Sequence, residues 1–424
     1  MLYWPEQVYE LALRAGRKLL RSGWSSPALA HALAGRRAAL PHLREWAVAH
    51  RSAGPLVLVH APSVGEALMA QAIIAAARAA RPELQVAFTH FSPSAERIAA
   101  RVGADVWCYL PWDVRGDCAA LLDVLRPAAI AFIRTEIWPV LTAVAEARGA
   151  ATLLLNGVLG ERSSRLGTGA RLLLGPGYRR LRAVGAVAAA DGERFTRLGV
   201  DVARVLVTGD ARFDQVWQRV SALDRGAPLL AALRSSQTTL VAGSTWPADE
   251  AVLAAAISRL TPGLRPRVIL APHQPTAAHL AGAEQTFAAA GLPLRRLAEV
   301  ERNGGPADGV LVDRVGVLAD LYAIADLAYV GGGFGNDGLH SVVEPAALGV
   351  PVLYGPRHGN AREAAELARA GGGRVVEEPE LTGALAQLAQ DPAARVAAGA
   401  RAAAYVSARL GGAEANAQLL LSVL

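Results

Sequence analysis

The sequence predicts an α/β protein in which two doubly wound parallel-sheet domains face each other across a central cleft. The chain has 424 residues, which is more than one hydrophobic core usually organises. Short apolar runs alternate with helical patterns along it, as in parallel sheets that are covered on both faces. One segment without a strand pattern divides these runs into two series. A hydrophobic content of 52% excludes a disordered chain.

The first series of predicted strands begins at Pro55–Ala61, and a helix over Ser63–Arg81 follows it. The apolar positions of that helix are spaced for one buried face. The other strands of this series are predicted at Leu84–Phe91, Val106–Leu110, Ala128–Ile133, Ala151–Leu155, Ala183–Ala189 and Val205–Thr208. Helical segments separate most of them, so this part of the chain is expected to form one domain.

The segment Gln215–Ser236 has no strand pattern, and it contains the turn residues Asp224–Pro228, so it is predicted to connect two domains. The second series of strands is predicted at Thr238–Ala242, Val268–Ala271, Val310–Val312, Leu327–Val330 and Val350–Tyr354. From Leu381 the tail is alanine-rich and helical. The predicted parts are an N-terminal amphipathic segment (1–50), a first domain (51–214), the connection (215–236) and a second domain (237–424).

The charge of the chain is moderately positive, with 43 basic against 37 acidic residues and a net charge of +6. Such an excess suits a phosphorylated partner or an anionic membrane face. Two cysteines, Cys108 and Cys118, are too few for a disulfide framework or a zinc cluster, which favours a reducing compartment. No uninterrupted apolar run approaches the roughly 20 residues of a spanning helix.

The N-terminal stretch Pro5–Arg21 is predicted to form a basic amphipathic helix, bracketed by Trp4 and Trp24. Tryptophans beside a helix with one apolar and one basic face are typical of helices that lie on anionic lipid. The apolar residues are Val8, Leu11, Leu13, Leu19 and Leu20, and the cations are Arg14, Arg17, Lys18 and Arg21. An ordinary surface helix docked on its own domain explains the same pattern, and the sequence leaves both interpretations open.

In doubly wound sheets, ligands bind beyond the carboxyl ends of the strands, so the turns at those ends are the candidate sites. The first such turn contains Ser63 and Glu66 in the S-x-x-E spacing of a capping box. That structural role explains the pair without any function. As the alternative, Glu66 is a candidate general base, since a carboxylate beside a helix N-terminus stays ionised. A carboxylate that caps the helix cannot also point both oxygens at a substrate.

Two more turns of the first domain carry charged residues that could act on a substrate. Glu136 follows the fourth strand, and it is either a site residue or a cap for the helix that Pro139 opens. Arg212 follows the last strand, where it is expected to face the other domain and meet a developing anion. A salt bridge between the domains with Asp210 or Asp214 is the alternative.

Several turns of the second domain resemble parts of a nucleotide site. Gly331, Gly332 and Gly333 follow a strand directly, and glycines before a helix expose backbone N–H groups to a phosphate. Gly333, Gly335 and Gly338 also have the G-x-G-x-x-G spacing of a dinucleotide fingerprint. That fingerprint belongs to the first strand of a domain, so its position here excludes nicotinamide binding. Ser341 is a candidate N-cap, and Glu344 could accept hydrogen bonds from ribose hydroxyls. Turns at Gly243–Thr245 and Pro272–Pro275 end two further strands.

Together these pieces resemble a known family, the 3-deoxy-D-manno-octulosonic acid (Kdo) transferases, which are lipid A glycosyltransferases. Matching motifs run in order over roughly seventy per cent of the chain, from residue 63 to about residue 363. They are SVGE (Ser63–Glu66), TEIWP (Thr135–Pro139), TGDARFD (Thr208–Asp214), AGST (Ala242–Thr245), YVGGGF (Tyr329–Phe334) and EPAALGVPVLYGP (Glu344–Pro356).

The resemblance implies a GT-B fold with two Rossmann-like domains, an acceptor domain followed by a CMP-binding domain. It implies CMP-Kdo as the donor substrate, no cofactor or metal, and inverting transfer to a phosphorylated lipid A precursor at the cytoplasmic face of the inner membrane. Glu66 matches the proton acceptor of the family, and Glu136 and Arg212 match residues that stabilise the transition state. Ser63 and Gly65 of the same motif are then expected on the acceptor side.

The resemblance also implies CMP contacts at Pro272, His273, Val315, Gly316 and Val317, and at Ser341 through Glu344. Further candidate nucleotide-binding residues are Gly243, Ser244, Gly331, Gly332, Gly333, His340 and Asn360. Some positions depart from the family pattern: Arg134 stands where an acidic residue is usual, and His273-Gln274 where Arg-His is common. Alternatives are a GT-B enzyme with another nucleotide sugar or acceptor, and an inactive relative that binds a nucleotide. A nucleic-acid binder is disfavoured, because the arginines are spread without interleaved aromatic residues.

Overall fold

The protein was analysed as a computed structural model that describes residues 2–20, 26–304 and 307–424. Within these residues the chain forms two compact units. The first unit comprises residues 1–215 and 409–424, and the second comprises residues 216–408. The two units are described separately below.

The first unit is a seven-stranded, fully parallel sheet with helices between successive strands. Its strands are β1 (Leu56–His60), β2 (Gln85–His90), β3 (Val106–Tyr109), β4 (Ala129–Ile133), β5 (Ala151–Gly157), β6 (Ala183–Ala186) and β7 (Val205–Val207). Its helices, up to the boundary, are α1 (Trp4–Leu19), α2 (Pro27–His50), α3 (Val64–Ala80), α4 (Pro93–Ala99), α5 (Arg115–Leu125), α6 (Pro139–Ala147), α7 (Thr168–Arg180), α8 (Ala189–Arg197) and α9 (Ala211–Ser221).

The second unit contains another seven-stranded parallel sheet. Its strands are β8 (Thr239–Thr245), β9 (Arg267–Pro272), β10 (Arg295–Arg296), β11 (Gly309–Leu311), β12 (Leu327–Val330), β13 (Val352–Tyr354) and β14 (Gly373–Val375). Its helices are α10 (Pro228–Ala232), α11 (Pro247–Ser258), α12 (Ala277–Ala289), α13 (Leu297–Asn303), α14 (Leu318–Leu321), α15 (Val343–Ala347), α16 (Arg362–Arg369), α17 (Glu378–Gln390) and α18 (Pro392–Ser407). The last helix, α19 (Gly412–Leu421), belongs to the first unit.

The strand order of each sheet reverses once, and this reversal fixes where a ligand is expected. The first sheet runs β3-β2-β1-β4-β5-β6-β7, so the chain changes direction between β1 and β4. The second runs β10-β11-β9-β8-β12-β13-β14, with the change between β8 and β12. At such switch points the loops after the two strands diverge to opposite faces and leave a crevice. The β1–β4 and β8–β12 crevices are therefore the candidate sites.

The near-continuous apolar runs exist because both faces of each sheet are covered. In β1, Leu56 and Leu58 join the hydrophobic cluster on one face, and Val57 and Val59 join the cluster on the other. Successive side chains of a strand point to opposite faces of the sheet. A strand that is buried on both faces therefore does not alternate apolar with polar residues. The prediction of two doubly wound α/β domains with parallel sheets is confirmed.

The predicted domain limits need correction at two places. The residues from 409 onwards join the first unit, because α19 packs on α3 and the Asp214 carboxylate accepts hydrogen bonds from the N–H groups of Gly411 and Ala413. The predicted connection is not a separate linker either. It contains most of α9 and all of α10, and Leu230 and Leu233 are buried in the second unit.

Two strands were missed by the sequence analysis. They are β10, with two residues, and β14, with three residues of which only one is a large apolar residue. Both are edge strands, so they need fewer apolar residues than strands that are covered by neighbours on each side. A strand of two or three residues is too short to show a period that distinguishes it from a loop.

Helix α1 is present as predicted, and it docks on the first unit through its polar face. Glu6 is fully buried and pairs with Arg180, the Glu10 carboxylate accepts from the N–H of Arg115 at 2.9 Å, and Arg17 pairs with Asp117 at 2.9 Å. The predicted Arg21 and Trp24 lie outside the described residues. Among the helices that the structure describes, none is both long enough and apolar enough to cross a bilayer.

Candidate active site

Glu66 lies at the start of α3, directly after β1, and it completes the predicted capping box. Ser63 is the N-cap, and both its N–H (3.0 Å) and its hydroxyl (2.5 Å) donate to Oε2 of Glu66. The Ser63 hydroxyl in turn faces the N–H of Glu66 at 3.5 Å. Oε1 forms no hydrogen bond with any described residue. The structural and functional roles are therefore compatible, because one oxygen caps the helix and the other is left for a substrate proton.

The two neighbours of Glu66 that were predicted on the acceptor side have different environments. The Ser63 side chain is occupied by Glu66, so it positions that carboxylate. Gly65 is exposed, and a Cβ built on it meets no atom within 4 Å. No backbone strain or close packing requires glycine at this position. Contact of either residue with an acceptor stays a prediction.

Glu136 lies in the loop after β4, and several bonds fix the shape of that loop. Arg134 adopts a left-handed conformation with φ of 76°, which is uncommon outside glycine and asparagine. The Thr135 hydroxyl donates to the carbonyl of Val158 at 2.7 Å, and the Tyr178 hydroxyl donates to the carbonyl of Thr135 at 2.8 Å. The Glu136 side chain itself has no hydrogen bond to the described residues.

Glu136 does not cap the helix that Pro139 opens, because another carboxylate has that role. Pro139 is the first residue of α6, as predicted. The buried Asp113 accepts from the N–H groups of Val140 (3.1 Å) and Leu141 (2.7 Å). Burial raises the pKa of Asp113 to about 6, and the bonds from these N–H groups oppose the rise. The capping alternative for Glu136 is therefore wrong, and its side chain is left for other contacts.

Glu66 and Glu136 belong to the same crevice. Their loops leave adjacent strands, since His60 of β1 pairs with Phe132 of β4. Burial raises the pKa of Glu136, and the negative charge of Glu66 raises it further. The positive charges of Arg165 and Arg36 oppose this rise. Two carboxylates in one crevice with different environments are the usual basis for separate acid and base roles. The β1–β4 crevice can thus hold one proton donor or electrostatic group and one base.

Arg36 of α2 was not singled out from the sequence, yet it influences this crevice. Its guanidinium is mostly buried, lies 4.2 Å from the ring centroid of Phe91, and donates to the carbonyl of Leu110 at 3.0 Å. It is one of two arginines that stabilise the ionised form of Glu136. Its position depends on the packing of α2 against β3, which no local motif reveals.

Arg212 forms the predicted salt bridge, but the bridge lies within the first unit. Its Nη2 is 2.9 Å from Oδ2 of Asp210, and both residues precede the boundary at 215. Asn156 donates to Asp210 at 3.2 Å and accepts from the N–H of Ala211 at 2.7 Å. The predicted salt bridge between domains is therefore wrong. A catalytic role of Arg212 stays a prediction.

His60, the last residue of β1, is a buried histidine that makes stability depend on pH. Its Nδ1 is 3.0 Å from the Thr89 hydroxyl, and Nε2 is buried and has no hydrogen-bond partner among the residues that the structure describes. Burial lowers the pKa of His60 to about 3. Below pH 6.5 the unfolded chain takes up a proton that the folded ring does not bind, so the free energy of unfolding falls as the pH drops from 6.5 towards 3.

For His60→Asn we expect a shallower loss of stability over this pH range. Asparagine keeps a polar atom near Thr89 but cannot titrate. The shift in the pKa of His60 corresponds to at most about 5 kcal/mol of pH-dependent stability. Carboxylates titrate in both proteins, so their contributions cancel in the difference between wild type and His60→Asn. Urea unfolding at a series of pH values measures it. His42→Asn, at an exposed position of α2, serves as the control. If the free energy of unfolding falls equally steeply with pH in His60→Asn and in wild type, His60 is not the group responsible.

In the second unit, the glycine loop after β12 is held by Asp249. The carboxylate of this fully buried residue accepts from the N–H groups of Gly332 (2.9 Å) and Phe334 (3.3 Å) and from the Tyr329 hydroxyl (2.8 Å). It also accepts from the N–H of Trp246 at 3.0 Å. The loop thus binds an anion, but the anion is an internal carboxylate. The prediction that its N–H groups bind a phosphate is wrong for Gly332.

Close backbone packing explains the three glycines of this loop. A Cβ on Gly331 would lie 2.3 Å from the carbonyl oxygen of Ser244, and one on Gly333 would lie 2.6 Å from the backbone nitrogen of Gly355. Gly332 has φ of +95°, and its Cβ would lie 1.9 Å from the carbonyl oxygen of Gly338. Each glycine is required for packing alone. Contact with a nucleotide through other atoms of the loop stays a prediction.

Four ring side chains form a cluster at the β8–β12 crevice, which we call the ring cluster: Trp246, His273, His279 and His340. The rings of His273 and His340 stack, with centroids 4.1 Å apart and planes inclined by 24°. The Trp246 ring lies 5.1 Å from His273, and its Nε1 is 3.3 Å from Nε2 of His340. His279 is held through Glu250 at 2.9 Å. Trp246 was not predicted as a site residue.

The remaining predicted nucleotide residues lie on the same carboxyl edge, with varied roles. Ser341 is not an N-cap, because α15 begins at Val343 and Val342 precedes it. Glu344 is in the first turn of that helix; burial raises its pKa, Arg219 opposes this and Asp320 adds to it. The side-chain amide of Asn360 bonds to both the N–H and the carbonyl of Leu339, so it positions the residue before His340.

Three further groups of predicted residues lie near the ends of β8 and β9 and after β11. Gly243 lies in a crowded position, because a Cβ built on it would be 2.1 Å from the Tyr322 hydroxyl. Ser244 has φ of 54°. Pro272 is the last residue of β9, and its neighbour His273 enters the ring cluster. Val315, Gly316 and Val317 form an open turn before α14, with Val315 exposed. Nothing in these contacts tests a nucleotide.

Solved structures with the same architecture define the class of fold. UDP-N-acetylglucosamine 2-epimerase from Neisseria meningitidis bound to UDP-GlcNAc superposes with a TM-score of 0.60 at 11% identity, covering 87% of this chain and 99% of that one. The Anabaena protein HepE in complex with UDP gives a TM-score of 0.55 at 16% identity, covering 88% and 100%. The protein thus has a GT-B fold with two Rossmann-like units.

Sequence relatives define the family. Residues 35–215 match the family described as 3-deoxy-D-manno-octulosonic-acid transferase (kdotransferase). The chain is 30% identical to the 3-deoxy-D-manno-octulosonic acid transferase of Bordetella pertussis, over 95% of this chain and 96% of that protein. It is 26% identical to the Haemophilus influenzae transferase over 70% of each chain. The chain belongs to the Kdo transferase family, and it is a glycosyltransferase.

Proposed function

We propose that the protein transfers Kdo from CMP-Kdo to a phosphorylated lipid A precursor in lipopolysaccharide biosynthesis, with inversion and without a metal ion. The observation that carries this proposal is the free Oε1 of Glu66, beside Glu136 in the β1–β4 crevice. The family of the chain supports the sugar and the acceptor. The ring cluster and the loops after β8 and β12 are the proposed donor site.

The proposed reaction uses one proton acceptor and several groups that stabilise charge. The acceptor hydroxyl oxygen bonds to the anomeric carbon of Kdo while its proton passes to Oε1 of Glu66. The bond between that carbon and the phosphate oxygen breaks, and its electron pair leaves with CMP. Arg212 stabilises the phosphate charge that develops. Glu136 stabilises the positive charge that builds up on the sugar ring.

One experiment tests the reaction, and a second tests the donor. Incubation with CMP-Kdo and a lipid A precursor is expected to give a product heavier by one or more Kdo residues in mass spectrometry. Protection against thermal unfolding is expected with CMP and not with UDP or GDP, since a ligand that binds only the folded state stabilises it. Protection by UDP alone would favour another nucleotide sugar. Protection by CMP without any turnover would favour an inactive relative.

We also propose that α1 binds the cytoplasmic face of the inner membrane. Its outward face carries exposed apolar side chains, with Trp4 62%, Leu11 69% and Leu19 73% accessible, and Val8 lies between them. Arg14 and Lys18, on the edge of this face, are exposed cations. The polar face is occupied by the first unit. Docking on its own unit and contact with anionic lipid are therefore compatible for this helix.

For Leu11→Glu we expect at least a tenfold loss of binding to vesicles that contain phosphatidylglycerol. The substitution removes an apolar side chain whose burial in lipid contributes about 2 kcal/mol, and it places an anion against anionic lipid. Co-sedimentation with vesicles measures the effect. Val396→Glu, which changes a side chain that is 73% exposed on α18 of the second unit, is the matched control. Equal binding of both variants would contradict the membrane role of α1.

A further inference from the structure

The ring cluster contains one hydrogen bond that fixes the protonation of a histidine. The indole Nε1 of Trp246 is 3.3 Å from Nε2 of His340. An indole N–H donates and cannot accept. Nε2 of His340 must therefore be the acceptor and carry no proton. The neutral ring then has its proton on Nδ1.

The surroundings of His340 also disfavour the doubly protonated ring. Burial lowers the pKa of His340, as does the stacked His273, whereas Asp249 and Asp337 oppose this. The pKa of His273 is lowered by its own burial and by His279, and Asp337 opposes this. An imidazolium would have no lone pair to accept the indole proton. The Nδ1–H form is thus the one that satisfies every contact.

We propose that Trp246 is a positioning residue that holds His340 in the Nδ1–H form, so that this N–H donates to a phosphate oxygen of the bound nucleotide. The proposal rests on the donor site proposed above. Nδ1 of His340 forms no hydrogen bond with the described residues, so a donor is available there. A phosphate oxygen only accepts hydrogen bonds, and the opposite tautomer would present a lone pair to it. Fixing the tautomer through the second nitrogen is a common way to orient a histidine.

The backbone around both residues holds this arrangement. Trp246 is the residue before α11, and its N–H donates to Asp249, which also holds the glycine loop. The N–H of His340 donates to the carbonyl of Gly331 at 3.2 Å. The same carboxylate therefore orders the strand ends that carry the donor and the acceptor. A single hydrogen bond between two side chains is fixed by the loops of β8 and β12.

Two substitutions separate the N–H group of Trp246 from its ring. Trp246→Phe keeps an aromatic ring beside His273 and removes the donor. Trp246→His keeps a five-membered ring with a nitrogen at the position of the indole Nε1, so it can restore the donor. His42→Gln changes an exposed histidine on α2 of the first unit, outside the ring cluster, and it serves as the control.

The tautomer is measured without any nucleotide. In protein labelled with ¹⁵N-histidine, long-range ¹H–¹⁵N correlation spectra distinguish Nδ1–H from Nε2–H, and a His340→Gln sample assigns the signal. We expect Nδ1–H in wild type and in Trp246→His, and a mixture with Nε2–H in Trp246→Phe, with a higher pKa for His340. A wild-type spectrum with Nε2–H, or no change in Trp246→Phe, would overturn the proposal.

CMP affinity gives the second measurement. Loss of one hydrogen bond to a charged phosphate is expected to weaken CMP binding about tenfold in Trp246→Phe, with recovery in Trp246→His. A changed tautomer with unchanged affinity would refute the phosphate contact. If wild type binds no CMP at all, the proposed donor fails, while the tautomer spectra still decide the role of Trp246. Thermal unfolding of each variant shows whether the fold is retained.

Discussion

Glu66→Gln is expected to lower the rate of Kdo transfer by at least about a thousandfold, since general bases contribute factors of this order. Glutamine keeps an oxygen that can accept from the N–H and hydroxyl of Ser63, so the capping of α3 is retained. It cannot take up the proton of the acceptor hydroxyl. Rates are measured with CMP-Kdo and a lipid A precursor, and CMP affinity, which depends on the second unit, is expected to stay unchanged.

Ser63→Ala separates the cap from the base. It removes the hydroxyl that donates to Oε2 at 2.5 Å and leaves the carboxylate in place. Loss of an N-cap side chain costs about 1 kcal/mol of stability, and transfer is expected to fall less than tenfold. If Glu66→Gln keeps more than a tenth of the wild-type rate, or if Ser63→Ala loses as much activity as Glu66→Gln, the proposed base is wrong.

Asp249→Ala is expected to destabilise the second unit by about 4 kcal/mol or more. The substitution leaves two buried donors without this partner, namely the N–H of Gly332 and the Tyr329 hydroxyl, and also the half-buried N–H of Phe334. Each unsatisfied buried group costs about 1–3 kcal/mol. Urea unfolding gives the overall change, and amide hydrogen exchange of the peptide 331–340 reports on the loop itself.

Glu301→Ala is the matched control for this loss of a carboxylate. Glu301 pairs with Arg314 at 2.5 Å on the surface, where the two side chains are 32% and 40% exposed, and such surface ion pairs contribute about 0–1 kcal/mol. In Glu301→Ala, the amide hydrogen exchange of residues 331–340 is expected to match that of wild type. A loss below 1 kcal/mol for Asp249→Ala, together with unchanged exchange, would show that the glycine loop keeps its shape without the carboxylate.

The parts of the fold that were predicted correctly depend on short-range patterns. Two doubly wound parallel sheets follow from apolar runs alternating with helical periods, and the start of α3 follows from the spacing of Ser63 and Glu66. Pro139 marked the start of α6 in the same way. Such features involve residues within a few positions of one another, and they can be recognised from one sequence.

The missed parts depend on contacts between distant residues. Asp113 caps a helix that begins 26 residues later, and Asp249 bonds to a loop more than 80 residues away. The glycine spacing predicted N–H groups that are free for a phosphate, and it could not show that the N–H of Gly332 donates to an internal carboxylate. A cue existed, since Trp246 and Asp249 have the spacing of an N-cap and its third helical residue. No pattern revealed the bond between Trp246 and His340.

The return of α19 to the first unit has a consequence for the order of folding during synthesis. Residues 216–408 form one uninterrupted unit, whereas the first unit needs residues from both ends of the chain. The Asn416 side chain, which accepts from the backbone N–H of Asn156 at 2.8 Å, is translated only after the whole second unit. Residues 216–408 can therefore complete their unit first, while the first unit, although its synthesis began earlier, waits for residues 409–424.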